Sequence, residues 1–359
     1  MKILVGLSGG VDSSVVACLL HDAGHEVIGA TMSIWHKDMA INMPVGAKSC
    51  FSPHEEQDIA SARNLCQKLG IPYHVIDCTE QYQKIVLSNF KSEYLQGRTP
   101  NPCVVCNSKI KFDALPLSAQ AQGIEFDKFA TGHYAKVSYN PITNRYCLQK
   151  AQDCQKDQSY FLYRLQQEQL QRILMPLGEY SKDDVRAIAR KYNLDVSDKP
   201  DSQDFYSGDI NDILQVEPQK GNFVDKNGKI LGQHQGIWNF TIGQRRGLGI
   251  SADRPLYVVA INKDSNEVVL GYDEDCQRQS LIASNWSWLS VANLDTKQEV
   301  YIKLRSSQSA FEAEYTALSE GRAQLNFTTP QKAIASGQSV VLYDANGYVL
   351  GGGIIESSK

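Results

Sequence analysis

Apolar and polar positions follow two different rhythms along the first 135 residues. Short apolar runs occupy residues 2–7, 25–34, 73–78 and 129–135, and apolar positions at helical spacing occupy residues 13–22, 55–69 and 81–95. Gly70 is expected to end the second helix, with Pro72 just beyond. Apolar strands separated by helices are typical of a parallel sheet covered on both faces. The pattern therefore predicts a doubly wound α/β domain whose ligands bind at the carboxyl ends of its strands.

The pattern changes after residue 150. Residues 150–200 are interpreted as helical, and the helix expected over residues 181–192 opens with Ser181 and Asp184 at capping-box spacing. From about Gly221, short strand-like pieces are separated by turn sequences such as DKNG and KDSNE. We therefore predict an α/β domain with a helical extension over residues 1–211, a small β-rich domain over residues 212–274, and a β-barrel-like domain over residues 275–359.

Composition and charge narrow the class of protein. The chain has 359 residues, 42% of them hydrophobic and 21% charged, which is ordinary for a globular protein with two or three domains. No apolar run reaches the length of a membrane span, and the N-terminus lacks a charged leader and a cleavage site, so we expect a cytoplasmic protein. Nine cysteines without a secretory signal argue against a disulfide framework, and Cys18, Cys66 and Cys147 lie in core-like segments. A net charge of −4 means that any nucleic-acid surface has to be local.

Residues 8–14, SGGVDSS, connect the first predicted strand directly to the first helix. Two glycines let the backbone approach an anion closely, and the helix N-terminus offers N–H groups and a positive dipole end. Ser8, Ser13 and Ser14 add hydroxyl donors, and Asp12 is suited to cap the helix or to help hold Mg²⁺. A glycine turn before a serine-capped helix is the simpler alternative. The motif lacks the Lys of G-x-x-x-x-G-K-[ST], which argues against γ-phosphate transfer of the Walker type.

A cysteine pair lies in residues 97–112, GRTPNPCVVCNSKIKF. Two prolines stiffen the approach, and a helix is expected to begin just after Cys106. A thiol there would lie in the positive potential of the helix N-terminus and of the nearby Lys109 and Lys111. This potential would lower the pKa of the thiol and favour the reactive thiolate. A structural cysteine pair and half of a zinc site are the alternatives, although a second CxxC or a His pair at matched spacing is not evident.

Seven segments give the chain a family resemblance. In order they are GLSGGVDSS, TPNPCVVCNSKIKF, ATGHYA, KDQSYFLY, KPDSQD, FTIGQRRGLGI and GQSVVLYD. They span nearly the whole chain, which resembles the bacterial-type tRNA-specific 2-thiouridylases, whose PP-loop domain is of the adenine-nucleotide α-hydrolase type. The resemblance implies an enzyme that cleaves ATP between its α- and β-phosphates to adenylate the 2-oxygen of the wobble uridine in tRNA. Sulfur from a cysteine persulfide then replaces that oxygen, releasing AMP and pyrophosphate.

The resemblance also implies cofactors, partners and residue roles. ATP and Mg²⁺ would be the cofactors, and tRNA and a sulfur-donor protein, such as a cysteine desulfurase or a sulfur relay protein, the partners, with no membrane. Cys106 would be the nucleophile that carries the persulfide, with Asp12 as a further catalytic residue. The ATP site would be lined by Gly6, Leu7, Ser8, Gly9, Gly10, Val11, Asp12, Ser13, Met32 and Gly132. The tRNA contacts would be made by Asn101, Pro102, Cys103, His133, Lys156, Asp157, Gln158, Arg305, Ser306 and Gln338.

One position departs from the family pattern. Many relatives place a second cysteine after the KPDSQ-like stretch, where it attacks the persulfide and releases sulfur, but here Tyr206 occupies that place. Many relatives also carry Asp where this chain has Cys103, so our first hypothesis makes Cys103 the resolving thiol, which forms a disulfide with Cys106. The second hypothesis makes Cys50, Cys103 and Cys106 the ligands of an iron–sulfur cluster whose open iron carries the sulfide.

Basic side chains recur on the helix expected over residues 181–192. They form one stripe at successive i, i+4 positions: Lys182, Arg186 and Arg190. The stripe suits phosphate contacts with RNA, and a solvated face is an equal alternative. Arg245 and Arg246, in a glycine-bounded turn, are another candidate patch.

Two rival functions agree with part of the pattern. One is a different AMP-forming PP-loop enzyme, such as an amide ligase or a tRNA lysidine former. The NPCVVCN segment argues against it, because neither reaction needs a thiol. The other is a tRNA-binding or sulfur-relay protein without full catalysis, which the tyrosine at position 206 keeps open.

Overall fold

The computed structural model describes residues 1–35, 49–194 and 205–359. Up to residue 194 the strands are β1 (Lys2–Gly6), β2 (Glu26–Ser33), β3 (Tyr73–Asp77), β4 (Lys128–Thr131), β5 (Ala135–Asn140), β6 (Arg145–Lys150) and β7 (Ile173–Leu174). The helices are α1 (Val11–Asp22), α2 (Glu55–Leu69), α3 (Thr79–Tyr82), α4 (Ser88–Leu95), α5 (Pro102–Cys106), α6 (Leu115–Ala121), α7 (Gln167–Arg172) and α8 (Lys182–Lys191).

Five of these strands form one parallel sheet in the order β3-β2-β1-β4-β7. Its two faces are covered by separate apolar clusters, and β1 contributes Leu4 to one and Ile3 and Val5 to the other. Both faces are buried, which explains the unbroken apolar runs of these strands. The predicted α/β class is confirmed. The chain reverses its winding at β1, which pairs with both β2 and β4, so the carboxyl ends of these strands form the expected ligand crevice.

Two helical segments run longer than their α-helical parts. A π-helical stretch, Gln83–Leu87, joins α3 to α4, and another, Asn107–Ala114, joins α5 to α6. The helix that carries the cysteine pair therefore begins at Pro102, and the prediction that it begins after Cys106 is wrong. Asn101 caps it by accepting a hydrogen bond from the Val104 N–H at 3.3 Å, and proline at the first position loses no helical hydrogen bond.

A small β-rich unit follows. It contains α9 (Ile210–Leu214) and the strands β8 (Gly221–Val224), β9 (Ile230–His234), β10 (Tyr257–Asn262) and β11 (Glu267–Gly271). The strands form a sheet in the order β10-β11-β8-β9 around a core that includes Phe223, Trp238 and Phe240.

The C-terminal strands close into a barrel. They are β12 (Gln277–Trp288), β13 (Gln298–Lys303), β14 (Phe311–Ala317), β15 (Ala323–Lys332), β16 (Ser339–Tyr343) and β17 (Val349–Ser358), in the order β12-β15-β14-β13-β16-β17. The small β-rich unit and the barrel agree with the predicted fold class. No helix in the described part of the chain is long and apolar enough to cross a membrane.

Candidate active site

The loop between β1 and α1 is held in shape by its own serines. The Ser8 N–H donates to Ser13 Oγ at 3.1 Å, and the Ser14 hydroxyl donates to the Gly10 carbonyl oxygen at 2.8 Å. Gly9 has φ +67°, and a Cβ there would lie 2.6 Å from the backbone of Asp58, so only glycine fits. No side chain caps the N-terminus of α1, which leaves its positive end directed at the loop. The arrangement suits a bound anion.

The second wall of this site is the segment after β4. A Cβ on Gly132 would lie 2.7 Å from the Ser13 nitrogen, so the segment and the first turn of α1 are in close contact. The adjacent His133 is buried and shares a 2.8 Å hydrogen bond with the Thr131 hydroxyl through Nδ1. Burial, reinforced by the nearby Lys111, holds the pKa of His133 well below its ordinary value. The imidazole is therefore neutral at physiological pH.

Asp12 is paired with residues that the sequence did not single out for it. Its two carboxylate oxygens lie 2.7 and 2.9 Å from Lys182 Nζ, and the Tyr134 hydroxyl donates to Oδ1 at 2.8 Å. Asp12 is therefore not the cap of α1, whose N-cap residue is Gly10. Lys182 is buried, so it does not belong to the predicted basic stripe on the helix surface.

Cys106 ends the first α-helical stretch of its helix and is partly buried. Burial raises the pKa of its thiol to about 11, and Lys111 offsets part of the shift. The predicted lowering of this pKa is therefore wrong. The physical reason is that burial disfavours the charged thiolate. The helix also begins four residues before Cys106, so Cys103, in the first turn, lies nearer the positive end of the dipole.

The helix that carries Cys106 leads to the segment beside the loop of residues 8–13, which we call the anion loop. Cys106 ends α5, and the π-helical stretch Asn107–Ala114 continues the same helix through Lys111 and Phe112. The His133 ring packs against Phe112 with ring centroids 5.3 Å apart. Since Gly132, the neighbour of His133, contacts the first turn of α1, the helix of the cysteine pair packs against the segment that borders the anion loop.

The barrel holds the residues that precede the cysteine pair. Gln338 Nε2 donates to the carbonyl oxygens of Thr99 and Pro100 at 3.2 and 2.9 Å, and the Thr99 N–H donates to the Ser336 carbonyl oxygen at 2.8 Å. The Thr99 hydroxyl also contacts Thr241 of the β-rich unit at 3.2 Å. The proline-stiffened segment is thus fixed between two other parts of the chain.

Lys156, Asp157 and Gln158, which the resemblance assigns to the tRNA, have different surroundings in the fold. Asp157 is buried, accepts hydrogen bonds from the Ala151 and Ser159 N–H groups, and pairs with Lys303 of β13 at 3.4 Å. Gln158 accepts a 3.0 Å bond from the Tyr134 N–H, while the side chain of Lys156 is partly exposed. Asp157 is therefore held by partners within the chain.

Two further residues expected at the tRNA lie on the barrel next to this region. Arg305 is exposed and donates to the Ala333 carbonyl oxygen at 2.7 Å, and Ser306 is partly buried. In the sheet, Met32 lies near the end of β2, partly buried against the core. Met32, Gly132 and the anion loop therefore share the carboxyl edge of the parallel sheet.

Contacts with neighbouring residues hold Tyr206 in place. Its hydroxyl donates to Asp212 at 3.1 Å, and burial raises the pKa of the phenol. The Phe51 N–H donates to the Phe205 carbonyl oxygen at 3.1 Å, which brings the exposed Cys50 into the same region. The KPDSQD segment itself lies outside the described residues.

The cysteines form neither disulfides nor a metal site in the described chain. All nine are free thiols, and Cys18, Cys66 and Cys147 are buried as predicted. Between residues 1–35, 49–194 and 205–359 no group of three or more His, Cys, Asp or Glu side chains is placed to hold a metal ion. The arrangement therefore does not support Cys50, Cys103 and Cys106 as the ligands of an iron–sulfur cluster.

Sequence reasoning missed Tyr134 and Lys182 as site residues. Lys182 follows the N-cap Ser181, which predicts a helix start but does not indicate what the lysine faces. Tyr134 lies inside the ATGHYA segment, whose apolar pattern indicated only a strand. Neither contact has a local signal, because the residues lie more than 100 positions from Asp12.

Known proteins resemble the chain over its whole length. Residues 1–206 match the family described as tRNA methyl transferase HUP domain, residues 210–272 the tRNA methyl transferase PRC-barrel domain, and residues 278–355 the aminomethyltransferase beta-barrel domain. A protein of Endomicrobium trichonymphae named tRNA-specific 2-thiouridylase MnmA is 47% identical over 99% of both chains. Proteins of the same name from Clostridium botulinum (strain Eklund 17B / Type B) and Acetivibrio thermocellus are 46% and 43% identical, each over 99% of this chain and 98% and 99% of their own lengths.

One solved structure overlaps weakly. NMN synthetase from Francisella tularensis has a TM-score of 0.34 and 17% identity, over 56% of this chain and 65% of its own. This overlap is too slight to support an argument.

Proposed function

The chain belongs to the tRNA-specific 2-thiouridylase family, and from that premise we propose that it uses ATP to replace the 2-oxygen of the wobble uridine of tRNA with sulfur. The observation that carries the proposal is the packing of the Cys106 helix, through Phe112, against His133, whose neighbour Gly132 borders the anion loop. It joins a thiol, which sulfur transfer needs, to a loop suited to phosphate.

The first step uses the carboxyl edge of the sheet. ATP would lie with its phosphates on the loop of residues 8–13, between Met32 and Gly132. Mg²⁺ would be held mainly by the phosphate oxygens, with the serine hydroxyls of the loop nearby, and would neutralise part of their charge. The uridine 2-oxygen attacks the α-phosphorus, and pyrophosphate leaves into the loop. Adenylation turns a poor leaving oxygen into one that departs as AMP. The protein contributes mainly by positioning and by stabilising the developing phosphate charge.

The second step uses the cysteine pair. A donor protein, such as a cysteine desulfurase or a relay protein, loads Cys106 as a persulfide, which moves the negative charge one atom away from the buried Sγ. Cys103 attacks Cys106 Sγ, the S–S bond of the persulfide breaks, and hydrosulfide departs. Hydrosulfide then adds to C2 of the adenylated uridine and expels AMP. The resulting Cys103–Cys106 disulfide is reduced by an external dithiol before the next turnover.

Cys103 is suited to the attack by its place in the helix. It lies in the first turn, where the dipole favours a thiolate, and residues three apart face the same side of a helix. Tyr206 cannot resolve the persulfide, because its phenol donates a hydrogen bond to Asp212 and cannot form a disulfide.

The tRNA would reach the site from the side of the barrel. We propose that the uridine is turned out of the anticodon stack and received by Asn101 and Pro102, because its 2-oxygen is otherwise poorly accessible. Further contacts would come from His133, Lys156, Gln158, Arg305 and Ser306. The expected substrates, tRNA and ATP, support a cytoplasmic location for the reaction.

Reconstitution with three cysteine variants tests the proposal. The purified chain is incubated with ATP, Mg²⁺, unmodified tRNA and a persulfide donor, and 2-thiouridine is measured by nucleoside mass spectrometry. Wild type is expected to form it, Cys106→Ser is not, and Cys103→Ser is expected to fail in a single turnover without added reductant. Cys50→Ser, whose thiol is exposed, is the matched control and is expected to keep activity. Retained thiolation by Cys103→Ser would remove Cys103 from the mechanism.

The rival functions give different products. An amide ligase or lysidine former would release pyrophosphate with tRNA and its own co-substrate, and Cys106→Ser would leave that release unchanged. A relay protein without catalysis would accept sulfur but release no pyrophosphate from ATP and tRNA.

A further inference from the structure

The anion loop has no cation of its own. Residues 6–16, GLSGGVDSSVV, contain neither Lys nor Arg, so the loop offers serine hydroxyls, backbone N–H groups and the dipole of α1. Pyrophosphate is highly charged, and phosphate sites commonly add Lys or Arg to such donors. A cation from elsewhere in the fold is therefore expected at this loop.

Lys182 is brought to the loop by α8. The helix begins at Lys182, after the N-cap Ser181, and the Lys182 N–H donates to Asp153 at 3.1 Å, which fixes the start of the helix. The lysine side chain is only 9% exposed. Its ammonium group lies 5.8 Å from the centre of the Tyr134 ring and within hydrogen-bond distance of both Asp12 oxygens.

Asp12 directs the ammonium group to the phosphate side of α1. Asp12 is the second residue of that helix, beside the turn that would hold an anion, and the Tyr134 hydroxyl fixes its carboxylate. In an ion pair on the protein surface, the long side chains usually remain mobile. The pair is instead enclosed by α1, α8 and the segment after β4.

From this geometry we propose that Lys182 is a phosphate-binding residue that contacts the leaving pyrophosphate, and that Asp12 and Tyr134 position its ammonium group. The proposal rests on the proposed function, in which ATP is split beside this loop. Lys182 thereby supplies the positive charge that the loop sequence lacks, and Asp12 acts through it.

Calorimetric titration of the full-length chain with magnesium pyrophosphate and, separately, with AMP tests this assignment. Lys182→Met is expected to weaken pyrophosphate binding by roughly 10- to 100-fold, the loss of one charge-assisted hydrogen bond, and to leave AMP binding unchanged. Lys182→Arg keeps the charge and is expected to recover part of the affinity, and it remains informative if Lys182→Met does not fold. Lys191→Met, at the exposed end of the same helix, is the matched control and is expected to change neither affinity.

The variant Asp12→Asn distinguishes a phosphate-binding role of Lys182 from a purely structural role of the Asp12–Lys182 pair. It keeps the ammonium group but loosens its position, so pyrophosphate affinity is expected to fall only about threefold, less than in Lys182→Met. Equal losses of AMP and pyrophosphate affinity in Lys182→Met, or a loss in Asp12→Asn as large as in Lys182→Met, would overturn the proposal, since both indicate a structural pair. Absence of 2-thiouridine formation by wild type would refute the proposed function and leave the calorimetric comparison intact.

Discussion

Gln338, the residue before the barrel strand β16, donates a hydrogen bond to the Pro100 carbonyl oxygen at 2.9 Å. Gln338 donates a second hydrogen bond to the Thr99 carbonyl oxygen, and the two bonds hold the segment that leads into the cysteine-bearing helix. The family resemblance assigns Gln338 to tRNA, and the structure gives it a partner within the chain. The barrel is therefore joined by hydrogen bonds to the segment that precedes the cysteine pair.

Replacing Gln338 tests the role of these hydrogen bonds. Gln338→Ala removes two hydrogen bonds and frees the segment, so kcat for 2-thiouridine formation is expected to fall about 10- to 30-fold with little change in KM for tRNA. Gln338→Glu sets a carboxylate against two carbonyl oxygens and is expected to be worse. Gln277→Ala, on an exposed barrel position, is the control. A raised KM with unchanged kcat would mean that Gln338 acts by contacting tRNA.

The alkylation rate of Cys106 is expected to rise with pH through the range 7 to 9. Its pKa of about 11 keeps the thiol protonated there, so the thiolate fraction and the iodoacetamide rate should grow about tenfold per pH unit. The rate is measured by peptide mass spectrometry, with the exposed Cys154 as the internal comparison. A rise clearly smaller than tenfold between pH 8 and 9 would show a thiol of ordinary or lowered pKa.

Asp157 is expected to matter for stability. Its side chain is 2% exposed and that of its partner Lys303 is 7% exposed, and removing one member of a buried ion pair costs about 3–5 kcal/mol. Asp157→Ala should lower the free energy of unfolding by that amount in denaturant titrations, and adding Lys303→Met should restore part of it. Gln155→Ala, at an exposed position two residues away, should change stability by less than about 1 kcal/mol. Equal effects of the two single alanine variants would contradict the structural role.

His133 is expected to make the fold less stable in acid. The folded state holds its pKa well below the ordinary 6.5, so as pH falls below 6.5 the unfolded chain binds a proton that the folded chain does not. Stability is therefore lost as pH falls from 6.5 toward the folded pKa. His133→Gln should remove up to about 1.4 kcal/mol of this loss per pH unit. Unfolding free energies at pH 7, 6 and 5 check this, and parallel curves for the two proteins would refute it.

The elements of the α/β domain follow from sequence because its strands are buried on both faces. The helix Glu55–Leu69 has the predicted ends, since Gly70 adopts φ +66° and terminates it. The two-residue strand β7 is too short to produce any pattern, and it was missed.

Two long barrel strands, β12 and β15, show no clear strand pattern in the sequence. Polar residues face outward at alternate positions in these strands, and register shifts interrupt the alternation between Arg278 and Ser280. The mixed pattern resembles loop sequence, and only closure of the barrel supplies the partners that make these segments strands.

The anion loop was predictable because all its donors lie within seven residues. The pKa of Cys106 was not, since it depends on where the helix starts and on side chains that bury the thiol. The Asp12–Lys182 pair joins positions 170 residues apart and had no signal at either position.

Transfer of an oxygen isotope tests the central claim most directly. A tRNA that carries ¹⁸O at the 2-position of its wobble uridine is incubated with the chain, ATP and the sulfur donor, and AMP is analysed by mass spectrometry. Attack of the 2-oxygen on the α-phosphorus predicts one ¹⁸O atom in the phosphate of AMP for each 2-thiouridine formed. Unlabelled AMP alongside 2-thiouridine would contradict adenylation of the uridine oxygen and, with it, the proposed mechanism.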